Sequence, residues 1–167
     1  ERPVGSYSYT DATVGYLSID YDAQQPYDWN AMYAAETTGN YSEIARLLYH
    51  CGVSVRMQYG IDGSGAYSVD IAPALTRNFQ YDSELIRYVR KSNYSREEWI
   101  SLLLDELVLG RAVIYGGDNG EAGHCWNVDG WKQATQMFHV NWGWGGYGNP
   151  DFDTEAMEDQ YQGMDFP

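Results

Sequence analysis

The sequence predicts an α+β fold, in which helices and antiparallel strands occupy separate stretches of one chain. Residues 41–51 and 95–109 have helical periodicity with recognisable ends, and residues 122–146 have the pattern of a β-hairpin. At 167 residues the chain can bury a core. We interpret residues 1–167 as one domain because no repeat or linker interrupts them.

The first half of the chain is expected to combine short strands, loops and two helices. Residues 1–35 are interpreted as strands and loops. Asn40 is a suitable N-cap for a helix over residues 41–51, and Gly52 is expected to end that helix. Its apolar face is expected to consist of Ile44, Leu47, Leu48 and Cys51. The segments that follow are expected to form a strand at 53–59, a loop at 60–68, a helix at 69–78 and a strand at 85–91.

The second half opens on a helix with a capping box. Ser95 and Glu98 are spaced so that each side chain can bond the main-chain N–H of the other, which predicts a helix start. Gly110 is expected to stop this helix, and a short buried strand is expected at 112–115. The inward face is expected to be Trp99, Leu102, Leu103 and Leu107. The turn-forming residues 118–120 are interpreted as an ordinary turn or, alternatively, as a mobile flap.

The hairpin carries the residues that point to chemistry. Its strands are expected at 124–131 and 137–142, with a polar turn at 132–135. His124 then begins the first strand and Asn141 lies at the end of the second, so antiparallel pairing can set them face to face. A histidine oriented by an amide is one half of a nucleophilic-catalysis apparatus, because the amide oxygen accepts one ring N–H and leaves the other nitrogen for the nucleophile.

The run Trp-Gly-Trp-Gly-Gly comes directly after Asn141. Its indoles can keep water from the histidine, and its glycines let a ligand approach the backbone closely. The alternative is a packed hairpin with an aromatic corner, in which His124 is a satisfied core residue. The combination of histidine, asparagine and this run favours a functional site.

The sequences GHCWNVDGW and FHVNWGWGG resemble the histidine and asparagine blocks of the streptopain family, secreted bacterial cysteine proteases of papain-like fold. YDWNAM, HCGVSVRMQYG and YSREEWISLLLDELVLGRAVIYGG are similar to further family segments and follow in the family's order, so the resemblance covers most of the chain. It implies a papain-like catalytic domain whose antiparallel sheet carries the catalytic histidine and asparagine. It also implies a secreted endopeptidase acting on proteins or peptides, with no cofactor.

The resemblance implies roles for seven residues. His124 would be the general base, Asn141 would orient its ring, and Trp142 would shield the contact between them. The substrate would be bound by Gly123, which has no side chain to obstruct a peptide backbone, by Trp144, and by a loop at residues 60–66. The residues of that loop assigned to substrate binding are Ser64 and Gly65.

Neither cysteine is expected to be the nucleophile. Cys51 lies at the C-terminal end of its predicted helix, where the helix dipole opposes a thiolate. Cys125 follows His124 on a strand, so their side chains point to opposite faces. Both are interpreted as small core residues. In the streptopain family the nucleophilic cysteine lies upstream, so the resemblance implies an N-terminally shortened chain that is inactive alone. Its implied partners are an N-terminal fragment carrying the nucleophile and, in the precursor, a propeptide.

Charge and spacing exclude several other functions. The net charge of −14 argues against nucleic-acid binding and gives no attraction to anionic membranes, and it fits a secreted protein. His124, His139 and Cys125 lack the spacing of a metal site, so no metal is expected there. The alternation of Asp151, Asp153 and Glu155 is interpreted as a solvated acidic loop, with a calcium loop as the alternative.

A second class of function remains open at the level of the sequence. The chain has 16 tyrosines and six tryptophans against four phenylalanines, which makes it rich in aromatic residues that have a polar tip. Exposed Trp142, Trp144 and tyrosines could form a stacking platform. The alternative to a protease is therefore a non-catalytic secreted module that binds peptides or glycans.

Overall fold

A computed structural model describes residues 3–118, 123–148 and 151–152 of the chain. These residues belong to two units, Glu1–Tyr88 and Val89–Pro167, and each unit is described by itself. Both contain helices and antiparallel strands, as expected for the α+β class. Among the described residues, none of the helices combines the length and the apolar character that crossing a membrane demands.

The described residues of the first unit form a two-stranded hairpin, four α-helices and one 3-10 helix. Its elements are β1 (Ser6–Asp11), β2 (Gly15–Asp20), α1 (Trp29–Tyr33), α2 (Ala35–Thr38), α3 (Ser42–Ser54), a 3-10 helix at Ser68–Asp70, and α4 (Ile71–Asn78). Strands β1 and β2 are antiparallel, with Asp11 opposite Gly15. The buried cluster of this unit is formed by Ile19, Tyr21 and Val53. Helix α4 confirms the helix that was expected at residues 69–78.

Helix α3 differs from its prediction at its end and in its buried face. Gly52 lies inside the helix, and a Cβ at this position would be 2.4 Å from the hydroxyl of Tyr59. Glycine therefore serves a close approach here and does not stop the helix. Leu48 is 65% exposed and Cys51 is also exposed, whereas His50 is buried. The expected face is correct only at half-buried Ile44 and Leu47, because aromatic side chains outside the helix cover its histidine.

Three further expectations for this region were wrong or incomplete. Residues 53–59 do not form a strand, since the first two end α3 and only Gln58 forms an isolated bridge, with Gly65. Residues 85–91 also lack a strand, and a 3-10 helix begins at Lys91. Helix α1 was not predicted, although Asp28 caps it by accepting a hydrogen bond from the Ala31 N–H at 2.9 Å.

His50 lies at the centre of a buried polar cluster in the first unit. The Tyr27 hydroxyl is 2.7 Å from its Nδ1, and the Tyr21 hydroxyl donates to its main-chain oxygen at 3.0 Å. The imidazole is flanked by the Tyr21 ring, edge on at 5.4 Å. Burial lowers the pKa of His50 below its ordinary value of 6.5, and the positive charge of Arg46 adds to this effect. The folded protein therefore holds this histidine neutral.

We expect this cluster to make the first unit sensitive to acid. In the unfolded chain His50 takes up a proton below about pH 6.5, whereas the folded state resists it, so the free energy of unfolding falls as pH drops below that value. His50→Asn, which keeps an acceptor near the Nδ1 position, should make this fall shallower. Urea titrations at pH 7.5 and pH 5.0, followed by amide exchange in α3, would measure it. His139→Asn, at a more exposed histidine, is the control, and an unchanged pH dependence in His50→Asn would contradict the prediction.

The second unit packs one helix against a four-stranded antiparallel sheet. Its elements are a 3-10 helix at Lys91–Asn93, α5 (Arg96–Val108), β3 (Val113–Asp118), β4 (Gly123–Lys132), β5 (Met137–Asn141) and β6 (Asp151–Phe152). The strands are ordered β3-β4-β5-β6. The core between helix and sheet consists of Trp99, Leu103, Tyr115, Trp126, Val128, Phe138, Val140 and Trp142.

The predicted capping box of α5 is confirmed. The Ser95 hydroxyl accepts from the Glu98 N–H at 3.2 Å, and the Glu98 carboxylate accepts from the Ser95 N–H at 2.8 Å. Trp99 and Leu103 are buried as expected, while Leu102 and Leu107 are half-buried against the same core. Gly110 follows the helix with φ +72°, the left-handed conformation that favours glycine after a helix.

Candidate active site

Strand β4, one of the two inner strands of the sheet, carries His124 one residue after its start. The main-chain partner of His124 is Gly117 on β3, and the partner of Asn141 is Asn127. His124 and Asn141 are therefore not directly paired, which corrects the predicted register. The reason is local, because β5 ends at Asn141, before its ladder reaches His124, while the bulge at Asp129 changes the register by only one position.

The ring of His124 is oriented by a main-chain oxygen. Its Nε2 lies 2.9 Å from the carbonyl oxygen of Trp142. A carbonyl can only accept, so Nε2 must carry the hydrogen and donate it. In the neutral ring Nδ1 then keeps its lone pair and is the nitrogen that can take a proton. This is the tautomer required of a general base that acts through Nδ1.

Three indoles stand beside the imidazole with their planes within 27° of its plane. The ring centroids of Trp144, Trp126 and Trp142 lie 5.2, 6.2 and 6.2 Å from that of His124. Trp142 is only 1% exposed, and its ring is stacked with Trp144 at 5.7 Å. The imidazole therefore lies in an aromatic environment from which water is largely excluded on the indole side.

The burial of Trp142 corrects one expectation. A stacking platform for a glycan or peptide needs an exposed ring, and the Trp142 indole has almost no exposed surface. Trp144 is half-buried and keeps some surface for a ligand. The interpretation as a stacking platform therefore fails at Trp142, whereas Trp144 and exposed tyrosines such as Tyr147 keep surface for a ligand.

Asn141 lies at the turn that holds the orienting carbonyl. Its side-chain oxygen accepts a hydrogen bond from the Gly143 N–H at 3.0 Å, so the amide closes the chain around Trp142. Gly143 has φ +82°, a conformation that a residue with a Cβ would adopt only with strain. The Trp142 carbonyl that accepts from His124 lies within this turn.

The remaining predicted substrate residues lie in both units. Gly123 is the exposed first residue of β4, opposite Asp118. Of the proposed flap at residues 118–120, Asp118 ends β3, and residues 119 and 120 lie outside the described residues. Ser64 and Gly65 are exposed residues of the first unit, where the Ser64 hydroxyl accepts from the Gly60 N–H at 3.4 Å.

The two cysteines are exposed, so their interpretation as core residues was wrong. Cys51 lies in the last turn of α3, and its main-chain oxygen accepts the capping bond from Val55. Although the residue reaches the surface, neighbouring groups partly desolvate its thiol, which raises the pKa of Cys51 and disfavours the thiolate. Cys125 is exposed between half-buried His124 and buried Trp126, which is the alternation expected when its side chain points away from theirs.

The described residues contain no group of three or more His, Cys, Asp or Glu that could hold a metal ion. His139 instead has its Nδ1 2.5 Å from a carboxylate oxygen of Asp129 at the bulge. Asp151 pairs with the Lys132 ammonium at 2.8 Å. Asp153 and Glu155, the other members of the calcium alternative, lie outside the described residues.

Comparison with known proteins places this geometry in a family. The description "Peptidase C10 family" belongs to a family model that matches residues 1–152. The chain is 32% identical over 157 residues to the thiol protease/hemagglutinin PrtT of Porphyromonas gingivalis, covering 91% of this chain and 18% of that protein. It is 31% identical over 135 residues to a streptopain of Streptococcus pyogenes, covering 78% of this chain and 33% of streptopain.

A solved structure extends the likeness to the fold. A mutant fragment of prointerpain A from Prevotella intermedia matches with a TM-score of 0.74 and 33% sequence identity, covering 91% of this chain and 50% of that one. The match confirms the papain-like α+β fold and the resemblance to the streptopain family. The chain spans half or less of the length of each of these relatives. It belongs to the Peptidase C10 family of cysteine proteases.

Proposed function

We propose that this chain provides the histidine side of the active site of a secreted cysteine endopeptidase. The observation that carries the proposal is the bond from His124 to the Trp142 carbonyl, which leaves Nδ1 as the proton acceptor. A histidine that is held in one tautomer and packs beside three indoles suits general-base catalysis at a thiol. Family membership supports the same class of reaction.

The chemistry follows from that tautomer. Nδ1 of His124 takes the thiol proton of a cysteine, and the resulting thiolate attacks a peptide carbonyl. The imidazolium then protonates the leaving amine, and water releases the acyl group with His124 again acting as base.

The supporting residues have distinct parts in this proposal. Asn141 fixes the turn that presents the Trp142 carbonyl to His124. The Trp142 indole shields the hydrogen bond between His124 and that carbonyl from water. Gly123 and Trp144 border the histidine on β4 and the turn, and there they contact the substrate. Ser64 and Gly65 bind substrate on the loop of the first unit.

The nucleophile in this proposal is a cysteine other than Cys51 and Cys125. It comes from an N-terminal segment, joined to this chain or supplied as a separate fragment, and a propeptide accompanies it in the precursor. The substrates are proteins or peptides, and nucleic acids are disfavoured by the net charge of −14. Secretion is proposed from the same likeness to streptopain.

We expect the 167-residue chain alone to have no peptidase activity. Cys51 has a raised thiol pKa at the negative end of a helix, and the Cys125 thiol points away from His124. An epoxide inhibitor of papain-like enzymes should therefore leave both unlabelled on the timescale that labels papain, as mass spectrometry would record. The control is the same chain together with the segment that precedes Glu1, which should gain both activity and labelling. Rapid stoichiometric labelling of either cysteine in the chain alone would contradict the assignment.

A further inference from the structure

The loop that carries Ser64 is closed on itself at its base. Gln58 and Gly65 exchange two main-chain hydrogen bonds, of 2.8 and 3.1 Å. Between them the chain is tight, because a Cβ at Gly60 would lie 2.6 Å from the carbonyl oxygen of Gly63. The segment 58–65, called here the substrate loop, is thus a small closed unit. Its position depends on what holds its base.

The β1–β2 hairpin holds that base through a carboxylate. Oδ1 of Asp11 accepts from the N–H groups of Thr13 and Val14 at 2.8 and 2.9 Å, which closes the turn of the hairpin. Oδ2 of the same carboxylate accepts from the Tyr59 N–H at 3.1 Å, 48 residues along the chain. One buried carboxylate therefore fastens the hairpin turn to the residue next to Gln58.

The same hairpin makes a second hydrogen bond, to Met57, which lies two residues before Tyr59. The Tyr9 hydroxyl donates to the carbonyl oxygen of Met57 at 2.6 Å. The carboxylate bonds are charge-assisted, and the Val14 N–H, with those of Thr13 and Tyr59, lowers the pKa of Asp11. The carboxylate consequently stays ionised in neutral solution, where its bonds to N–H groups are strongest.

We propose that Asp11 and Tyr9 are positioning residues that fix the substrate loop, and so set the affinity of the protease for its substrates. The inference rests on the proposed function, because it takes Ser64 and Gly65 to contact substrate. Neither residue takes part in the chemistry at His124. Loosening the loop should therefore weaken binding and leave turnover nearly unchanged.

The test compares two aspartates whose carboxylates each accept hydrogen bonds from N–H groups of the turn that follows. Asp20 ends β2 and accepts from the N–H groups of Asp22 and Ala23, but these bonds are local to its own turn. In Asp11→Asn the amide cannot accept all three bonds of the carboxylate, so the bond to Tyr59 is weakened. Asp20→Asn removes a charge of the same kind without touching the substrate loop and is the matched control. Tyr9→Phe removes only the bond to Met57 and carries the test if Asp11→Asn fails to fold.

Two readouts decide the proposal. In the 167-residue chain, amide exchange at Tyr59 and Gly65 should become about tenfold faster in Asp11→Asn and unchanged in Asp20→Asn, since one charge-assisted bond is lost. In the full-length protease, KM should rise about tenfold with kcat changed less than about twofold. Tyr9→Phe should act in the same direction and more weakly.

Unchanged exchange in both Asp11→Asn and Tyr9→Phe would overturn the positioning role. Faster exchange with an unchanged KM would overturn the link from the loop to affinity. Both failures are distinct from failure of the proposed function, which would show itself as full activity of a protease lacking His124.

Discussion

Replacing His124 with alanine is expected to lower the turnover of the full-length protease at least about a thousandfold, with the fold intact. The physical reason is that Nδ1 is the only ring nitrogen left to take the thiol proton once Nε2 donates to the Trp142 carbonyl. Without it the thiol is not activated and the leaving amine is not protonated. The measurement is turnover of one peptide substrate by wild type and His124→Ala at equal concentrations.

The matched control is His139→Ala. This histidine lies on the neighbouring strand β5 and bonds Asp129, so its loss tests for general effects of removing an imidazole from the sheet. It should leave turnover within a few-fold of wild type. The turnover of Asn141→Ala should lie between those of His124→Ala and His139→Ala. Loosening the turn that orients the His124 ring still leaves the ring at the reactive angle part of the time. Near-normal activity in a folded His124→Ala protein would remove the basis of the proposed function.

The parts of the fold that were predicted correctly depend on residues close together in the sequence. The capping box of Ser95 and Glu98 needs only a spacing of three residues, and α5 begins there. The β4–β5 hairpin was likewise expected from alternation and a polar turn, and its strands were placed to within about two residues. In such elements the local pattern and the tertiary structure favour the same conformation.

The parts predicted wrongly depend on packing partners far away in the sequence. Helix α3 buries His50 rather than Leu48 because Tyr21 and Tyr27 supply hydrogen bonds to it, and periodicity cannot reveal such partners. Residues 85–91 have the composition of a strand, yet a strand forms only where another strand pairs with it. These residues therefore form no strand because they have no pairing partner, although their composition suits one.

The assignment of His124, Asn141 and Trp142 to one site remains a prediction, and their contacts were not foreseen from the sequence. The sequence indicated His124, Asn141 and Trp142 together, and the structure brings His124 and Trp142 into direct contact. The orienting atom is a main-chain oxygen, which every residue has, so no sequence pattern marks it. The bulge at Asp129 also could not be foreseen, and it moves the partner of Asn141 by one position, from Val128 to Asn127.

The buried indole of Trp142 gives the second large expected effect. Its ring packs 4.8 Å from that of Trp126 and edge on to Phe152 at 5.8 Å, so Trp142→Ala opens a cavity in the core of the second unit. Removal of a buried tryptophan costs about 3–5 kcal/mol of stability. Trp142→Phe keeps an aromatic ring and most of the packing, so it is the variant to use for kinetic measurements. Trp131→Phe, at a half-buried indole that packs on Phe138, is its matched control.

In the full-length protease, Trp142→Phe should lower turnover more than it changes KM, and should move the acidic limb of the pH–rate profile to higher pH. The smaller ring lets water compete for the bond between His124 and the Trp142 carbonyl, which destabilises the thiolate–imidazolium pair. A less stable pair needs a higher pH before the thiolate forms, and this fixes the sign of the shift. Trp131→Phe should leave the limb in place. If Trp142→Phe raised KM alone and its acidic limb coincided with that of wild type, the indole would contact substrate and would not shield the histidine.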